Sequence, residues 1–208
     1  MNAALIGLDY ASVLVFALTG ALVASRAQLD IIGFAFLACL TAVGGGTIRD
    51  VLLDRNPVFW VAQPSYLGVA VAAAAFVFFS AHRFESRLRA ILWLDACALA
   101  VAVAAGAGVA QSLGQPAPVV VIMGMITGCM GGLMRDVVVG QVPLVLKQGE
   151  LYVSAAFAGA SAFVAASWVG LPTLAILGLS ASATFILRAG AIRLGWRLPV
   201  YKPRPPRS

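Results

Sequence analysis

The chain has 208 residues, of which 62% are hydrophobic and 11% charged, and its formal net charge is +6. A soluble domain of this size would have to hide more apolar side chain than its interior can hold, so lipid is the expected solvent. The Lys and Arg residues fall in short loops and a tail between apolar segments rather than along one helical face, which argues against a nucleic-acid surface and for membrane orientation.

Met1 to Tyr10 carries no basic n-region and no small-residue cleavage site, and is read as mature protein rather than a signal peptide. Charge-poor stretches follow at about residues 5–25, 31–48, 63–81, 91–114, 117–134, 150–167 and 171–187. Most of them can cross about 30 Å of hydrocarbon as a helix. The predicted fold class is therefore an all-α membrane protein with seven transmembrane helices. Leu151 to Leu187 carries no charge, and as a single helix it would be about 55 Å long. The Trp168-Val169-Gly170-Leu171-Pro172 stretch supplies the break.

Cys39, Cys97 and Cys129 lie inside apolar segments and form no C-x-x-C, and His82 is the single histidine. Neither a disulfide framework nor a metal cluster is expected, and no cofactor. Cytoplasmic loops collect Lys and Arg. One side holds Arg26, then Arg83, Arg87 and Arg89, then Lys147, then Arg193, Arg197, Lys202, Arg204 and Arg207; the other holds Arg55 with Arg49 near it. The N-terminus is expected outside and the C-terminus inside. The basic, proline-rich tail Pro199 to Ser208 is expected to be disordered and close to anionic headgroups.

Sliding the chain on itself by 86 residues, without a gap, superimposes Leu8-Asp9 on Leu94-Asp95, Gly20 on Gly106 and Thr41 on Thr127. The same shift places Gly45-Gly46 on Gly131-Gly132, Arg49-Asp50-Val51 on Arg135-Asp136-Val137, Pro57 on Pro143 and Tyr66 on Tyr152. Each repeat holds three spans, so the second must enter the membrane upside down. The architecture expected is an inverted 3+3 pair plus one extra helix. The domain boundaries expected are 1–85 for the first repeat, 86–168 for the second, 169–196 for the seventh helix and 197–208 for the tail.

In the second span of each repeat glycines are expected to interrupt an apolar helix: Gly44, Gly45 and Gly46 after Thr41, and Gly131 and Gly132 after Thr127. A kink frees carbonyls that lipid cannot satisfy, so such backbone is buried in protein or lines a wet cavity. Matching broken segments in two inverted halves point to a pathway near the midplane. Packing is the competing account, since Ala38, Ala42 and Gly46, matched by Gly124, Gly128 and Gly132, form small-residue stripes. Arg49-Asp50 and Arg135-Asp136 stand three residues beyond the glycines, and charges at membrane depth tend to mark pathways. Adjacent helical residues do not face each other. The expected pairing is thus reciprocal across the pseudo-two-fold, Arg49 with Asp136 and Arg135 with Asp50, with interfacial anchoring as the alternative. Asp9 and Asp95 are expected to cap the first span of each repeat, with a place at a pore mouth as the alternative. Thr41, Thr47 and Thr127 offer hydroxyls to ions or to their own helix backbone.

No G-x-S-x-G, H-E-x-x-H or P-loop is present, and no enzyme is expected. At the two G-G-x-x-R-D segments the chain resembles the prokaryotic branch of the trimeric intracellular cation (TRIC) channel family, a group also described as a glycine transporter domain. The resemblance covers nearly the whole chain. It implies a homotrimer in a prokaryotic plasma membrane, each protomer with a hydrophilic pore beside kinked second and fifth helices, permeable to K+, Na+ and other monovalent cations. Carried over, the pore kinks are Gly44, Gly45, Gly46, Gly131 and Gly132, with Met130 standing where the first repeat has Gly44. Arg49, Asp50, Arg135 and Asp136 become pore-lining or gating charges, and Thr41 and Thr127 pore hydroxyls. The lysine motif of the animal channels is not recognisable. A secondary transporter of a small zwitterion such as glycine remains the second reading, because inverted repeats with broken helices also serve transporters.

Overall fold

A computed structural model describes residues 3–81, 87–147 and 151–199. His82, Arg83 and the tail's residues from Val200 onward, Lys202, Arg204 and Arg207 among them, lie outside the described residues. The chain is all-helical: α1 (Ala3–Arg26), α2 (Ile31–Leu52), the short α3 (Phe59–Ala62), α4 (Ser65–Ser80), α5 (Arg87–Ser112), α6 (Ala117–Val138), α7 (Val153–Trp168) and α8 (Thr173–Leu194). α1, α2, α5, α6 and α8 are each long and apolar enough to cross a membrane. At 16 residues, α4 and α7 reach about 24 Å at 1.5 Å per residue. Each is the third long helix of its repeat. Ile32, Phe36, Phe76, Phe79, Leu174 and Ile186 face outward and exposed, as a lipid-facing surface requires and a soluble one does not.

The helix ends follow from local chemistry. Asp30 caps α2 by accepting a hydrogen bond from the Gly33 amide at 2.7 Å, which satisfies one of the orphan donors of the first turn. After α2 the chain turns at Asp54, φ 51°, and after α6 at Gly140, φ 68°. In both turns an amide reaches back to close the helix, Arg55 N to Asp50 O and Gln141 N to Asp136 O, each at 2.8 Å. The break expected near Gly170 is present: α7 ends at Trp168, Gly170 takes φ 76°, and α8 starts after Pro172.

The packing repeats with the sequence. α1 packs on α2 and α4 as α5 packs on α6 and α7, while α1 meets α5 and α2 meets α6 across the repeats. α8, outside the symmetry, lies against α5 and α7. Around these crossings the core is built largely of alanine, including Ala17, Ala21, Ala38, Ala104 and Ala107. Small side chains let backbones approach closely where lipid supplies no hydrophobic drive between helices.

Candidate functional site

α2 runs without a break from Ile31 to Leu52 and α6 from Ala117 to Val138. The interruption expected at the glycines is thus absent from the helix assignment, and the close approach expected on the competing packing account is present. A Cβ at Gly45 would collide with the carbonyl oxygen of Thr127, and one at Gly131 with the carbonyl oxygen of Thr41. These are symmetry-related contacts under the 86-residue shift, so the pseudo-two-fold passes between α2 and α6 at this crossing. Gly46 makes room for the Phe59 ring, whose Cε1 would lie 2.6 Å from an added Cβ, and Gly44 for the Met134 sulfur at 2.7 Å. Gly132 faces the Tyr152 hydroxyl, 3.2 Å from a Cβ there. The hydroxyls of Thr41 and Thr127 donate to their own helices, to Leu37 O at 2.6 Å and Met123 O at 2.7 Å. Thr47 donates to Val43 O and accepts from the Trp60 indole.

Beyond the crossing, each repeat buries a charge triad. Arg49 donates through Nε to Asp50 at 2.8 Å and through Nη1 to Asp9 at 3.2 Å. Arg135 donates through Nε to Asp136 and through Nη1 to Asp95, both at 2.8 Å. All six residues are buried. This corrects three expectations. The arginines do not pair reciprocally across the repeats, because a carboxylate on the first helix of the same repeat already meets each one. Adjacent residues do pair: the flexible arginine stem brings Nε over the neighbouring carboxylate while Nη1 continues to the next helix. Asp9 and Asp95 are not helix caps, since both lie well inside α1 and α5. Their constant 40-residue spacing from the arginines, visible in the self-match, was the signal for this pairing.

The second oxygen of each second-helix aspartate fastens the following loop. Asp50 Oδ2 accepts from Phe59 N at 2.9 Å, and Asp136 Oδ2 from Leu144 N at 3.0 Å. Fully buried charges are tolerated only when paired and hydrogen-bonded in this way. Asp9 Oδ2 and Asp95 Oδ2 remain buried without a protein hydrogen-bond partner. An anionic oxygen in that state can take a water or a cation.

The two triads differ at their margins. Arg135 Nη1 also donates to Thr19 on α1 at 3.1 Å. Arg55 reaches Asp50 in the first repeat, 3.4 Å from Oδ1. Arg49 lies over the Phe59 ring, 5.5 Å from its centroid. On α8, the fully buried Arg188 lies over Tyr152 at 5.1 Å. Arg188 stands one residue past the seventh apolar stretch marked from sequence and was missed there. A crevice of about 30 Å³ opens beside the second triad, lined among others by Arg26, Arg135, Asp136, Gln141 and Lys147.

The fold is that of solved channels. The crystal structure of the TRIC channel orthologue from Rhodobacter sphaeroides superimposes with a TM-score of 0.90 at 43% sequence identity, over 93% of this chain and 100% of that one. The chain belongs to the TRIC channel family. A prokaryotic TRIC channel crystallised in 0.5 M KCl is also similar, with a TM-score of 0.86 and 28% identity over 94% of this chain and 98% of that one. The sequence profile of the family described as "Glycine transporter" matches this TRIC-family chain at residues 6–82 and again at 92–168, one match per repeat. The UPF0126 inner membrane protein YadS of Escherichia coli (strain K12) is 36% identical over 198 residues, 93% of this chain and 94% of that protein. A TRIC-family chain with these helices is a multi-pass membrane protein, and its likeness to solved cation channels supports a cation channel.

Proposed function

We propose that the chain conducts monovalent cations, K+ and Na+ among them, along a pathway inside each protomer beside the α2–α6 crossing. The observation that carries this reading is the matched pair of buried Asp-Arg-Asp triads, one beyond each glycine segment, in a chain similar to solved cation channels. Paired charges at membrane depth cost less than bare ones and leave acidic oxygens with which a partly dehydrated cation can exchange its water. In this assignment Gly44, Gly45, Gly46, Gly131 and Gly132 keep the helices close enough for a narrow path. Arg49, Asp50, Arg135 and Asp136 set its field, and Thr41 and Thr127 stand beside it. The working unit is a homotrimer in the plasma membrane, N-terminus outside, with the repeats spanning residues 1–85 and 86–168, the seventh helix 169–196 and the tail 197–208.

A planar-bilayer recording of purified protein under a KCl gradient tests the proposal. Discrete steps reversing near the potassium potential are expected, with Gly45 and Gly131 substitutions altering them. The second reading, transport of glycine, is favoured by the description attached to the family profile. Saturable glycine uptake into liposomes, with a silent bilayer, would establish it in place of the channel.

A further inference from the structure

The two triads share their framework bond for bond. In each, Nε of the arginine reaches the adjacent aspartate and Nη1 an aspartate 40 residues earlier. In each, a loop amide binds Oδ2 of the second aspartate, and the amide five residues after that aspartate closes the helix at 2.8 Å. At that last position the repeats part. The first has Arg55, whose Nη1 lies 3.4 Å and 3.5 Å from the two oxygens of Asp50. The second has Gln141, and among the described residues Arg135 is the one side chain that hydrogen-bonds Asp136, where Asp50 has two.

Because the second repeat builds the same turn and buries the same triad with glutamine, the Arg55 guanidinium is an addition to the framework rather than a condition of it. Its side chain is 24% exposed while Asp50 is fully buried. Arg55 thus stands where the buried charges of one repeat meet the surface. On the other side, Arg26 and Lys147 line the crevice at Asp136 but form no ion pair with it.

We propose that Arg55 sets how readily cations enter from its face of the protein, by competing with a permeating cation for the carboxylate of Asp50, so that the two faces conduct unequally. The inference rests on the cation-channel reading. A cation approaching Asp50 meets a guanidinium already bonded to that carboxylate, whereas at Asp136 the equivalent position is the neutral amide of Gln141, and the nearby Arg26 and Lys147 line the crevice without pairing with the carboxylate. The competing charge is partly exposed, so its effect is moderate and screened by salt.

The test is the current–voltage relation of single channels in symmetric KCl, with the orientation of each inserted channel assigned from a tag carried on one face. Wild type is expected to rectify. R55Q is expected to raise the current entering from the Arg55 face by about twofold to fivefold at low salt. R55K is expected to keep the wild-type ratio, and the swap R55Q/Q141R to invert it. In 1 M KCl, where screening acts within about 3 Å rather than about 10 Å, these differences are expected to shrink. A conducting R55Q with unchanged rectification would overturn the role of Arg55 and leave the channel reading intact. A monodisperse R55Q that never opens would overturn it too, by showing the residue to be part of the framework. A silent wild type would overturn both readings.

Discussion

Asp95 and Arg135, 40 residues apart in sequence, meet at 2.8 Å inside the protein with side chains 0% and 1% exposed. The Arg135 Nη1 that reaches Asp95 also donates to Thr19, and Nε holds Asp136 on the other flank. Asp95→Asn removes one anion and leaves a buried cation undercompensated, which costs about 3–5 kcal/mol. Thermal unfolding in detergent is expected to show a large fall in Tm. A change no greater than that of an exposed substitution would show the pair to be idle.

The pairing scheme is decided by double-mutant cycles. Asp9→Asn with Arg49→Gln is expected to show a coupling of about 0.5–3 kcal/mol, since the two are in contact. Asp136→Asn with Arg49→Gln is expected to be additive. Coupling in the second cycle and not the first would restore the reciprocal arrangement that the sequence suggested.

Gly45→Ala and Gly131→Ala each drive a methyl into a backbone carbonyl of the facing helix. Carbonyls of a packed helix cannot rotate away, so each is expected to cost about 1–3 kcal/mol and to disturb conduction. Gly68→Ala and Gly178→Ala meet nothing within 4 Å and serve as controls. Both lie within helices, and the substitutions are expected to be neutral or to stabilise by up to about 1 kcal/mol. Equal effects at all four positions, read by Tm, would contradict the close approach.

Arg188→Met is expected to destabilise by about 2 kcal/mol or more, because it removes a desolvated cation from the Tyr152 face. Arg193→Met, on the same helix but exposed, is expected to stay within about 0.5 kcal/mol. Tm shifts in detergent separate the two, and equal shifts would deny Arg188 its structural place.

Much of the fold was legible because hydrophobic spans, their breaks at Gly170 and Pro172, and the 86-residue self-match are one-dimensional signals. The triads were legible only in part. Arg49-Asp50 and Arg135-Asp136 announced themselves as charges in apolar sequence, but which carboxylate each arginine meets depends on how α1 lies against α2 and α5 against α6. Helical neighbour rules misled here because they describe Cβ directions, whereas an arginine makes its bonds several atoms further out. The glycines left two accounts open, a bend and a close packing, for a different reason. The same residue that permits a bend also permits contact between backbones, and only the position of the facing helix decides between them. Arg188 was hidden because its partner ring, Tyr152, lies on a segment 36 residues earlier in the chain, with no repeat copy to flag it.

The hydrogen bond from Arg135 to Thr19 joins the repeats in one direction only. Under the 86-residue shift, Thr19 corresponds to Ala105, which has no hydroxyl to return to Arg49. Two copies of the first half would hold the acceptor twice, and two copies of the second half would lack it altogether. The halves have therefore diverged into complementary parts, and neither could be exchanged for a duplicate of the other without leaving a buried arginine differently held.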